Sequence, residues 1–570
     1  MEGMMHVVVD GYVDEPSSLG VPPYISPEAR YLYGAIKAAG EEAIFLPVDR
    51  IREAGGLKGA LPSSTSPHRG EVLFILAGAL VPGRYLLTRP ISPKEVGRLL
   101  EEGRRLGFET VLGGPITFAG GLEVNDAPQL LSHLPQGDLD HFAYHYLRNG
   151  EEREGFRNAK ERELFSRLGA EVVRESWVPL EALVAEIETY RGCVRYPSHC
   201  SFCMERLYGR PIFRDPKAVA EEVRELHRAG VKNFRIGGQS CIISYGTLEL
   251  GGSEVPAPNP IALKELFQAV RGAAPGAEVI HVDNANPEVI SRHREKARGA
   301  LEVIRDFTSD GNVLAFGLET ADPRVAELNN LNTNADSTLE AIRLLNDVGR
   351  EWGERGLPKL LPGINFLLGL PGESPKSYEK NVEFLKRVRR EGLWVRRINV
   401  REVRYPKAGL RLTSYIRGWV LRPPELKGEM RRRAREFREW VRGFQLELLK
   451  EMFPAGHILR RAYAEIQLHG GTYLRQPGSY PPVLYVPYRL PTGRFFSCAV
   501  VDHSPRSLTV VEYPFPLKKA TMKMLTAIPG VGKKRAGRIL KERPGGLEEL
   551  ERAVEDPSLA EFIARLSAFQ

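Results

Sequence analysis

The first 150 residues alternate between short apolar runs and amphipathic stretches. The apolar runs have the length of strands that are buried on both faces, and they lie at 5–10, 42–48, 71–80 and 108–114. Helices are predicted between them, one over 92–106 and one that begins at Ser26, an N-cap followed by Pro27. Residues 137–147 are predicted to form the last strand and turn. This pattern indicates a parallel α/β domain over 1–150, with ligands near the strand C-termini and a linker over 151–180.

A second and longer alternation runs from 181 to 415. Its strand-like runs are LVAEIETY, KNFRIGG, AEVIHVD, VLAFGLE, INFLLGL and RRINVREV. Helices are predicted between most of these runs, at 216–229, 261–274, 335–349 and 375–390. Six such units predict a partial (β/α)6 barrel, which places its chemistry at the C-terminal ends of the strands.

The remaining residues change character twice. A very basic helical segment is predicted over 416–460, with its helix at 425–452. Residues 461–517 switch to Tyr, Val and Pro in strand-like runs, which indicates a small all-β module. Residues 518–570 are predicted to be helical.

Charge and composition narrow the range of binding partners that the sequence predicts. The net charge is +8, and residues 401–450 hold 14 Lys or Arg against 6 Asp or Glu. A basic excess concentrated in one window favours an anionic partner. No apolar run approaches the roughly 18 residues of a transmembrane helix, and the N-terminus does not resemble a secretory signal. The expectation is a cytoplasmic protein without a membrane partner.

Three of the five cysteines fall within eleven residues, as C-x6-C-x2-C at Cys193, Cys200 and Cys203. An odd number of clustered cysteines in a cytoplasmic chain favours metal over disulfides. Three thiolates can hold three irons of one [4Fe–4S] cluster and leave the fourth iron open. The alternative is a zinc site completed by His199. Because the cysteines follow the first strand of a predicted β/α barrel, the cluster is favoured.

The segments that follow the cysteines resemble the radical SAM (S-adenosylmethionine) superfamily, although its usual spacing is C-x3-C-x2-C. IGGQS resembles the Gly-Gly-Glu turn, with Gln in place of the acid; HVDNANP ends the third strand; GLETADPRVAELNNLN and INFLLGLPGES resemble the fourth- and fifth-strand motifs. The resemblance covers about 183–410. It implies SAM-binding roles for Phe202, Gly237, Gly238, Gln239, Asp283, Glu319, Gly369, Leu370 and Pro371.

The resemblance also implies a reaction. SAM would chelate the open iron, and reductive cleavage would give a 5′-deoxyadenosyl radical that activates a C–H bond, with ferredoxin or flavodoxin as reductant. Cys241, just past the Gly-Gly turn, is a weak catalytic candidate, because a buried and inert cysteine fits the same position.

The C-terminal IPGVGKKRAGRIL resembles a helix-hairpin-helix motif, and the chain resembles an archaeal group of radical SAM proteins that carry one. Two glycines allow a tight turn near a phosphate, and the basic residues add charge. The predicted nucleic-acid-binding residues are Gly530, Gly532, Lys533, Lys534 and Arg535. The β module lies where RNA-modifying relatives carry a small RNA-binding barrel, so RNA is favoured over DNA. A protein-interaction hairpin is the alternative.

The N-terminal domain resembles the Rossmann-like, cobalamin-binding-like domains that precede some radical SAM cores. No cysteine precedes Cys193, so the second cluster of the methylthiotransferases is absent. The Asp-x-His-x-x-Gly signature of cobalamin binding is also missing, which leaves cobalamin open but not indicated. The leading hypothesis is a radical SAM enzyme that modifies tRNA or rRNA. The alternatives are DNA-lesion repair, a cobalamin-dependent methylase of a small molecule, and a zinc-containing nucleic-acid binder.

Overall fold

The computed structural model describes residues 5–13, 19–63, 70–78, 85–118, 129–403, 415–416, 419–420, 426–505 and 507–567. The predicted strand at 71–80 and helix at 425–452 therefore each extend slightly outside the described residues. No helix within the described ranges combines the length and the apolar character needed to cross a membrane.

A four-stranded parallel sheet forms the N-terminal part. In chain order, the first five strands are β1 (Met5–Asp10), β2 (Tyr24–Ile25), β3 (Glu42–Pro47), β4 (Val72–Leu76) and β5 (Glu109–Gly113). All of them except β2 belong to this sheet. The sheet order is β3-β1-β4-β5, and each of the four predicted runs supplies one strand. The side chains of Val7, Val8 and Val9 are fully buried, as expected for a sheet covered on both faces.

Helices cover this sheet. They are α1 (Pro27–Ala38), α2 (Val48–Glu53), α3 (Leu57–Ala60), α4 (Pro93–Leu106) and α5 (Pro115–Phe118). Ser26 caps α1 by accepting a hydrogen bond from the Ala29 N–H. Ser92 and Glu95 form a capping box on α4, which ends at the left-handed Gly107. Both start sites agree with the sequence prediction.

The strand predicted at 137–147 is wrong. Residues Leu139–Asn149 form helix α6, and the predicted linker contains a further helix, α7 (Ala159–Leu168). Leu139, Phe142 and Ala143 are buried at helical spacing, and this period outweighs the aromatic, strand-like composition. Both helices pack on α1, so the link between the two α/β parts is folded.

The central part contains six parallel strands. They are β6 (Val184–Glu188), β7 (Asn233–Gly238), β8 (Val279–Val282), β9 (Asn312–Glu319), β10 (Leu360–Leu368) and β11 (Arg397–Glu402). The pairing order is β6-β7-β8 and β9-β10-β11, and a bridge between Ala285 and Phe316 joins the two halves. The short β2, from the N-terminal stretch, adds to the edge of β6. The sequence did not predict this exchange.

Outer helices enclose the six strands. They are α8 (Pro216–Arg228), α9 (Pro260–Ala273), α10 (Pro287–Arg292), α11 (Arg294–Phe307), α12 (Pro323–Leu328), α13 (Ala335–Gly349) and α14 (Pro375–Arg390). Because the six strands are parallel, their C-termini lie together at one end of a partial β/α barrel.

The C-terminal third begins with a hairpin of β12 (Tyr415–Ile416) and β13 (Trp419–Val420), followed by the long helix α15 (Gly428–Met452). A closed barrel follows, built from β14 (Ile458–Leu468), β15 (Gly471–Arg475), β16 (Val483–Val486), β17 (Phe495–His503) and β18 (Ser507–Glu512). Four helices end the chain: α16 (Met522–Leu525), α17 (Lys533–Glu542), α18 (Leu547–Val554) and α19 (Pro557–Leu566).

Candidate active site

The three clustered cysteines lie in the loop that leaves the C-terminal end of β6. All three are half-buried and free. Burial raises the pKa of each thiol, to about 12 for Cys193. A bound metal centre would hold such thiols as thiolates. The loop therefore offers the donor set that an iron–sulfur cluster needs.

Arg195 supports the sulfur atoms directly. Its backbone N–H lies 3.4 Å from Cys193 Sγ, and its guanidinium Nη1 lies 3.3 Å from Cys200 Sγ. The same guanidinium donates to the Asn330 carbonyl at 3.0 Å. Hydrogen bonds to cluster sulfurs are one of the levers by which proteins set cluster potentials.

Two asparagines after α12 clamp the cysteine loop. The Asn329 Oδ1 accepts from Ser201 Oγ at 2.7 Å, and its Nδ2 donates to the Pro371 carbonyl at 2.9 Å. The Asn330 Nδ2 donates to Ser198 Oγ and to the His199 carbonyl. The cysteine loop, the segment after β9 and the turn after β10 are thus tied together. The sequence motif contained both asparagines, but their role as a clamp was not predicted.

The spacing of the thiols argues against one zinc ion. Four ligands around zinc with Zn–S bonds of about 2.3 Å place the sulfurs roughly 3.8 Å apart. Within the described ranges, the one group of three or more metal-ligating side chains with all ligand atoms within 4.8 Å is His141, His145 and Glu161. The three cysteines are more widely spaced, which suits a multi-iron cluster better than a single ion.

The His141, His145 and Glu161 group is held by hydrogen bonds. Nδ1 of His141 and Nε2 of His145 each lie 2.9 Å from a different oxygen of Glu161. These contacts help lower the pKa of Glu161 to about 2, against the opposing effect of its burial. The group joins α6 to the first turn of α7, and hydrogen bonding within it satisfies the carboxylate.

The Gly-Gly turn after β7 is tightly packed. A Cβ on Gly237 would lie 2.5 Å from Glu186 Oε1, and one on Gly238 would lie 2.9 Å from the Glu188 Cα. The side chain of Gln239 is fully buried; it accepts from Thr189 Oγ1 and donates to the Ile236 carbonyl. Both ends of the Gln239 amide therefore have a partner inside the protein, and its contact with the SAM amino group stays a prediction.

Asp283 follows β8 and also has internal partners. Its carboxylate forms an ion pair with Arg235 and accepts from Tyr480 Oη at 2.8 Å, while Oδ1 has no hydrogen-bond partner. Arg235 in turn pairs with Glu186. Asp283 is thus part of a buried charge network, and a direct SAM contact is not assigned to it.

Glu319, at the end of β9, is the predicted SAM-binding carboxylate that is best placed for a role beside the cysteines. Its φ of +63° is unusual for a non-glycine residue and is typical of functional positions. Burial raises its pKa to about 8, against the effect of Arg401. Burial also raises the pKa of Cys200, Arg195 opposes this, and Glu319 adds to it, so Glu319 lies near the cysteines. Arg401, on β11, was not predicted as part of the site.

The remaining predicted SAM residues lie in two turns beside the cysteines. Phe202 is half-buried between Cys200 and Cys203. Gly369 has a φ of +84°, and its N–H donates to Glu373 Oε2 at 2.7 Å. Leu370 is fully buried, and the Pro371 carbonyl accepts from Asn329. The turn is therefore connected to the cysteine loop through one side chain.

Cys241 is a core residue in this structure. It is 3% exposed, and its sulfur accepts from Ser244 Oγ and from the Asn286 N–H. Burial raises the pKa of its thiol. These surroundings fit the inert reading of Cys241 rather than the catalytic one.

A loop from the C-terminal barrel packs against the buried charge network of Arg235 and Asp283. Residues 476–482, between β15 and β16, bring the Ser479 N–H to 2.8 Å from His281 Nδ1. Tyr480 reaches Asp283, and the Arg397 guanidinium lies 3.7 Å from the centre of the Tyr480 ring. The floor of the β/α barrel is thus built partly from the C-terminal module.

The C-terminal edge of the N-terminal sheet is the place expected for cobalamin. Among the described residues there, Asp138, Arg157 and Arg191 fill the space with ion pairs. The cavity they line measures about 10 Å³, enough for about one water molecule. The segments 79–84 and 119–128, which follow β4 and β5 in the sequence, lie outside the described residues, and cobalamin binding stays open.

The predicted nucleic-acid-binding residues surround the turn between α16 and α17. Gly530 has a φ of +85°, and Gly532 precedes α17 with open space around its Cα. Lys533 and Lys534 are exposed. Arg535 instead donates to the Val554 and Gly530 carbonyls, at 2.8 and 2.9 Å, and so holds the helices together.

Three thiols at the C-terminal end of the first strand of a six-stranded partial β/α barrel, clamped by the segments after β9 and β10, are the arrangement of a radical SAM enzyme. The radical SAM superfamily profile matches residues 187–385. The protein MJ0274 of Methanocaldococcus jannaschii is 35% identical over 521 residues, which are 88% of this chain and 92% of that protein. A protein of Archaeoglobus fulgidus is 35% identical over 560 residues, 96% and 97% of the two chains. The chain belongs to the radical SAM superfamily, in the family that includes these archaeal proteins, and the superfamily uses a [4Fe–4S] cluster and SAM.

Weaker similarities extend beyond this family. A tRNA-2-methylthio-N(6)-dimethylallyladenosine synthase of Xylella fastidiosa is 23% identical over 205 residues, 35% of this chain and 38% of that protein. The structure of the radical SAM methyltransferase TsrM from Kitasatospora setae, with cobalamin and a [4Fe–4S] cluster bound, has a TM-score of 0.48 at 14% identity, covering 70% and 72% of the two chains.

Proposed function

We propose that this radical SAM enzyme modifies RNA. The observation that carries the proposal is an arginine-rich groove on α15, next to the open end of the β/α barrel. The groove has a volume of 480 Å³, and its lining includes Arg431, Arg432, Arg435, Arg438 and Arg442. It also contains Glu402, the last residue of β11, and parallel strands end at the same side of a barrel. Positive charge therefore borders the mouth at which the cysteines lie.

Two of these arginines are available to a ligand. Arg438 pairs with Glu402, and Arg432 pairs with Glu436. Arg435 and Arg442 are exposed and have no ion pair or hydrogen bond among the described residues. They lie seven positions apart, two turns of one helix face. Unpaired guanidinium groups along one face suit a phosphate backbone.

The rest of the chain supports RNA as the substrate. The helix-hairpin-helix reading of residues 522–566 supplies a second cationic surface at Lys533 and Lys534. The Xylella fastidiosa relative, similar over 205 residues, is named a tRNA-2-methylthio-N(6)-dimethylallyladenosine synthase. Since no cysteine precedes Cys193, this chain would act on RNA by a chemistry other than methylthiolation with two clusters.

The site residues have separate tasks in this proposal. When bound, the cluster and SAM supply reductive C–S cleavage and hydrogen abstraction. Cys193, Cys200 and Cys203 would hold the cluster, while Arg195 donates hydrogen bonds to their sulfurs. Asn329 and Asn330 fix the loop, and Glu319, whose charge acts on the Cys200 thiol, would contact SAM. Leu368 and Leu370 are fully buried beside them.

The test combines a chemical and a binding measurement. After anaerobic reconstitution, the protein should convert SAM to 5′-deoxyadenosine with dithionite, and Cys200→Ala should abolish this. RNA binding is measured by fluorescence anisotropy with labelled tRNA over a range of salt concentrations. Arg435→Glu with Arg442→Glu should weaken binding and reduce the salt slope by roughly 1.4, about 0.7 per lost phosphate contact.

The control is an equal charge change on the outer helices, Arg224→Glu with Lys264→Glu, which should leave tRNA affinity unchanged. Unchanged affinity in the groove variant would refute the groove as the RNA site. Tighter binding of DNA than of RNA would replace the proposal with DNA repair by the same core.

A further inference from the structure

The C-terminal barrel has a specific connectivity. Its order is β14-β15-β16-β18-β17, closed by β14 against β17. The pair β16–β18 is parallel and the other four pairs are antiparallel. Numbered within the barrel, this is 1-2-3-5-4, with strands 3 and 5 parallel, which is the OB-fold arrangement. In OB-folds, strands 2 and 3 and the loop between strands 1 and 2 form the ligand-binding face.

The outer surface of strands 2 and 3 carries a pair of tyrosines. Leu474 and Leu484 are fully buried inside the barrel, and the alternate residues Tyr473 and Tyr485 point outward. Tyr473 and Tyr485 are directly opposite in register, with ring centres 4.9 Å apart and planes at 43°. Both are half-buried, so each offers part of its ring to solvent.

Glycine allows one ring to approach the sheet closely. A Cβ on Gly471 would lie 2.4 Å from Tyr485 Cε2. Gly471 is opposite Leu468 in β14, and Leu468 is 39% exposed. Leu468, Tyr473 and Tyr485 therefore form one apolar face, which we call the tyrosine face.

A positive charge borders the tyrosine face. Lys523 of α16 donates from Nζ to the carbonyl of Gly470, at 2.5 Å, in the turn between strands 1 and 2. The exposed His469 occupies the same turn. An aromatic surface next to a cation matches a nucleotide chain, in which each base offers a π-face and each linkage a negative charge.

We propose that the tyrosine face binds a single-stranded segment of RNA by stacking bases on Tyr473 and Tyr485. The inference rests on the proposed function, because it takes the nucleic acid to be RNA. It adds a binding surface that is distinct from the arginine groove and from Lys533 and Lys534, and it adds a preference for unpaired bases. Stacking does not depend on the base, so sequence preference at this face should be weak.

The experiment measures binding by the full-length reconstituted protein. Fluorescence anisotropy compares a labelled 12-nucleotide oligouridine, the same length of duplex RNA, and single-stranded DNA. Tyr473→Ala and Tyr485→Ala should each weaken oligouridine binding roughly 5- to 150-fold, from about 1–3 kcal/mol per stacked base. Tyr473→Phe and Tyr485→Phe should retain most of the affinity, since the ring is kept.

Controls separate stacking from damage to the barrel. Phe495→Ala removes a half-buried aromatic ring from β17, outside the tyrosine face, and should leave oligouridine affinity unchanged. Salt slopes should stay constant in the tyrosine variants and fall by roughly 0.7 in Lys523→Ala. Thermal unfolding of each variant checks that the barrel is intact.

The outcomes distinguish the two proposals. If the native protein binds no RNA, the proposed function fails. If it binds RNA and the folded alanine variants bind equally well, only the tyrosine face is refuted. A preference for duplex RNA or for single-stranded DNA over oligouridine would also overturn the inference.

Discussion

Asn329→Ala should prevent stable assembly of the cluster while leaving the overall fold intact. Asn329 is fully buried and joins two segments around the cysteines: its Oδ1 accepts from Ser201 Oγ, and its Nδ2 donates to the Pro371 carbonyl. Alanine removes both of these hydrogen bonds. Losing the Ser201 bond costs about 0.5–1.5 kcal/mol, and the Pro371 carbonyl left without its amide donor costs about 1–3 kcal/mol, so the ordered loop loses roughly 1.5–4.5 kcal/mol. Even the lower figure changes the population of the ordered loop about 10-fold.

The assay is iron and sulfide content after anaerobic reconstitution, together with the visible absorbance of the cluster. The native chain should reach about four irons, and the variant well below that number. Ser201→Ala removes the other partner, and the double variant completes a thermodynamic cycle. If the hydrogen bond acts as described, the two changes should be strongly non-additive.

Thermal unfolding of the iron-free proteins provides the structural control, because a general loss of stability would lower the midpoint temperature of every unfolding transition. Asn329→Ala protein that takes up four irons and binds SAM as tightly as the native chain would refute the clamp. Additive effects of the two single changes would refute the specific pairing with Ser201.

Two further predictions concern other parts of the chain. Burial lowers the pKa of His6 to about 4, from 6.5, and its Nδ1 accepts from the Val72 N–H, so stability should fall as the pH drops from 6.5 to 4, because only the unfolded chain takes up the proton. Thermal unfolding midpoints should show this slope, and His6→Asn, which keeps an acceptor, should flatten it; an equal slope in both proteins would contradict the assignment. Lys533→Ala with Lys534→Ala should weaken tRNA binding and lower its salt slope by roughly 1.4, whereas Lys541→Ala on the same helix should not. An unchanged slope would remove the hairpin from the RNA-binding surface.

Local signals in the sequence located much of the site. The three cysteines and the glycine-containing turns could be predicted to lie at strand ends, because the strand period and the loop motifs are each visible within a few residues of sequence. The sequence alone does not separate the zinc alternative with His199 from an iron–sulfur cluster, since the choice depends on distances between thiols. The assignment of Gln239 also depended on a long-range contact, because Thr189 occupies its amide oxygen.

The wrong strand assignment has a physical cause. Residues 139–149 are rich in aromatic side chains that favour strands, but packing against α1 selects the helix, and tertiary contacts override such weak preferences. The hydrogen bond from Arg535 to the Val554 carbonyl was equally invisible in the sequence, and nucleic-acid binding by Arg535 stays a prediction. In both cases the deciding partner belongs to another helix.

The C-terminal barrel packs directly against the β/α barrel. Tyr480 donates to Asp283, 197 positions earlier, and Arg235 and Asp283 are fully buried beside it. Removing the barrel would leave this pair of charges with one partner fewer in a buried setting, which is costly. The loop that carries Tyr480 connects β15 to β16, and the same two strands carry Tyr473 and Tyr485 on their outer side. A nucleic acid stacked on those tyrosines would therefore rest on strands whose connecting loop forms the floor of the β/α barrel. Binding at the barrel surface and order at the base of the SAM site are consequently linked through a single covalent segment of about seven residues, 476–482.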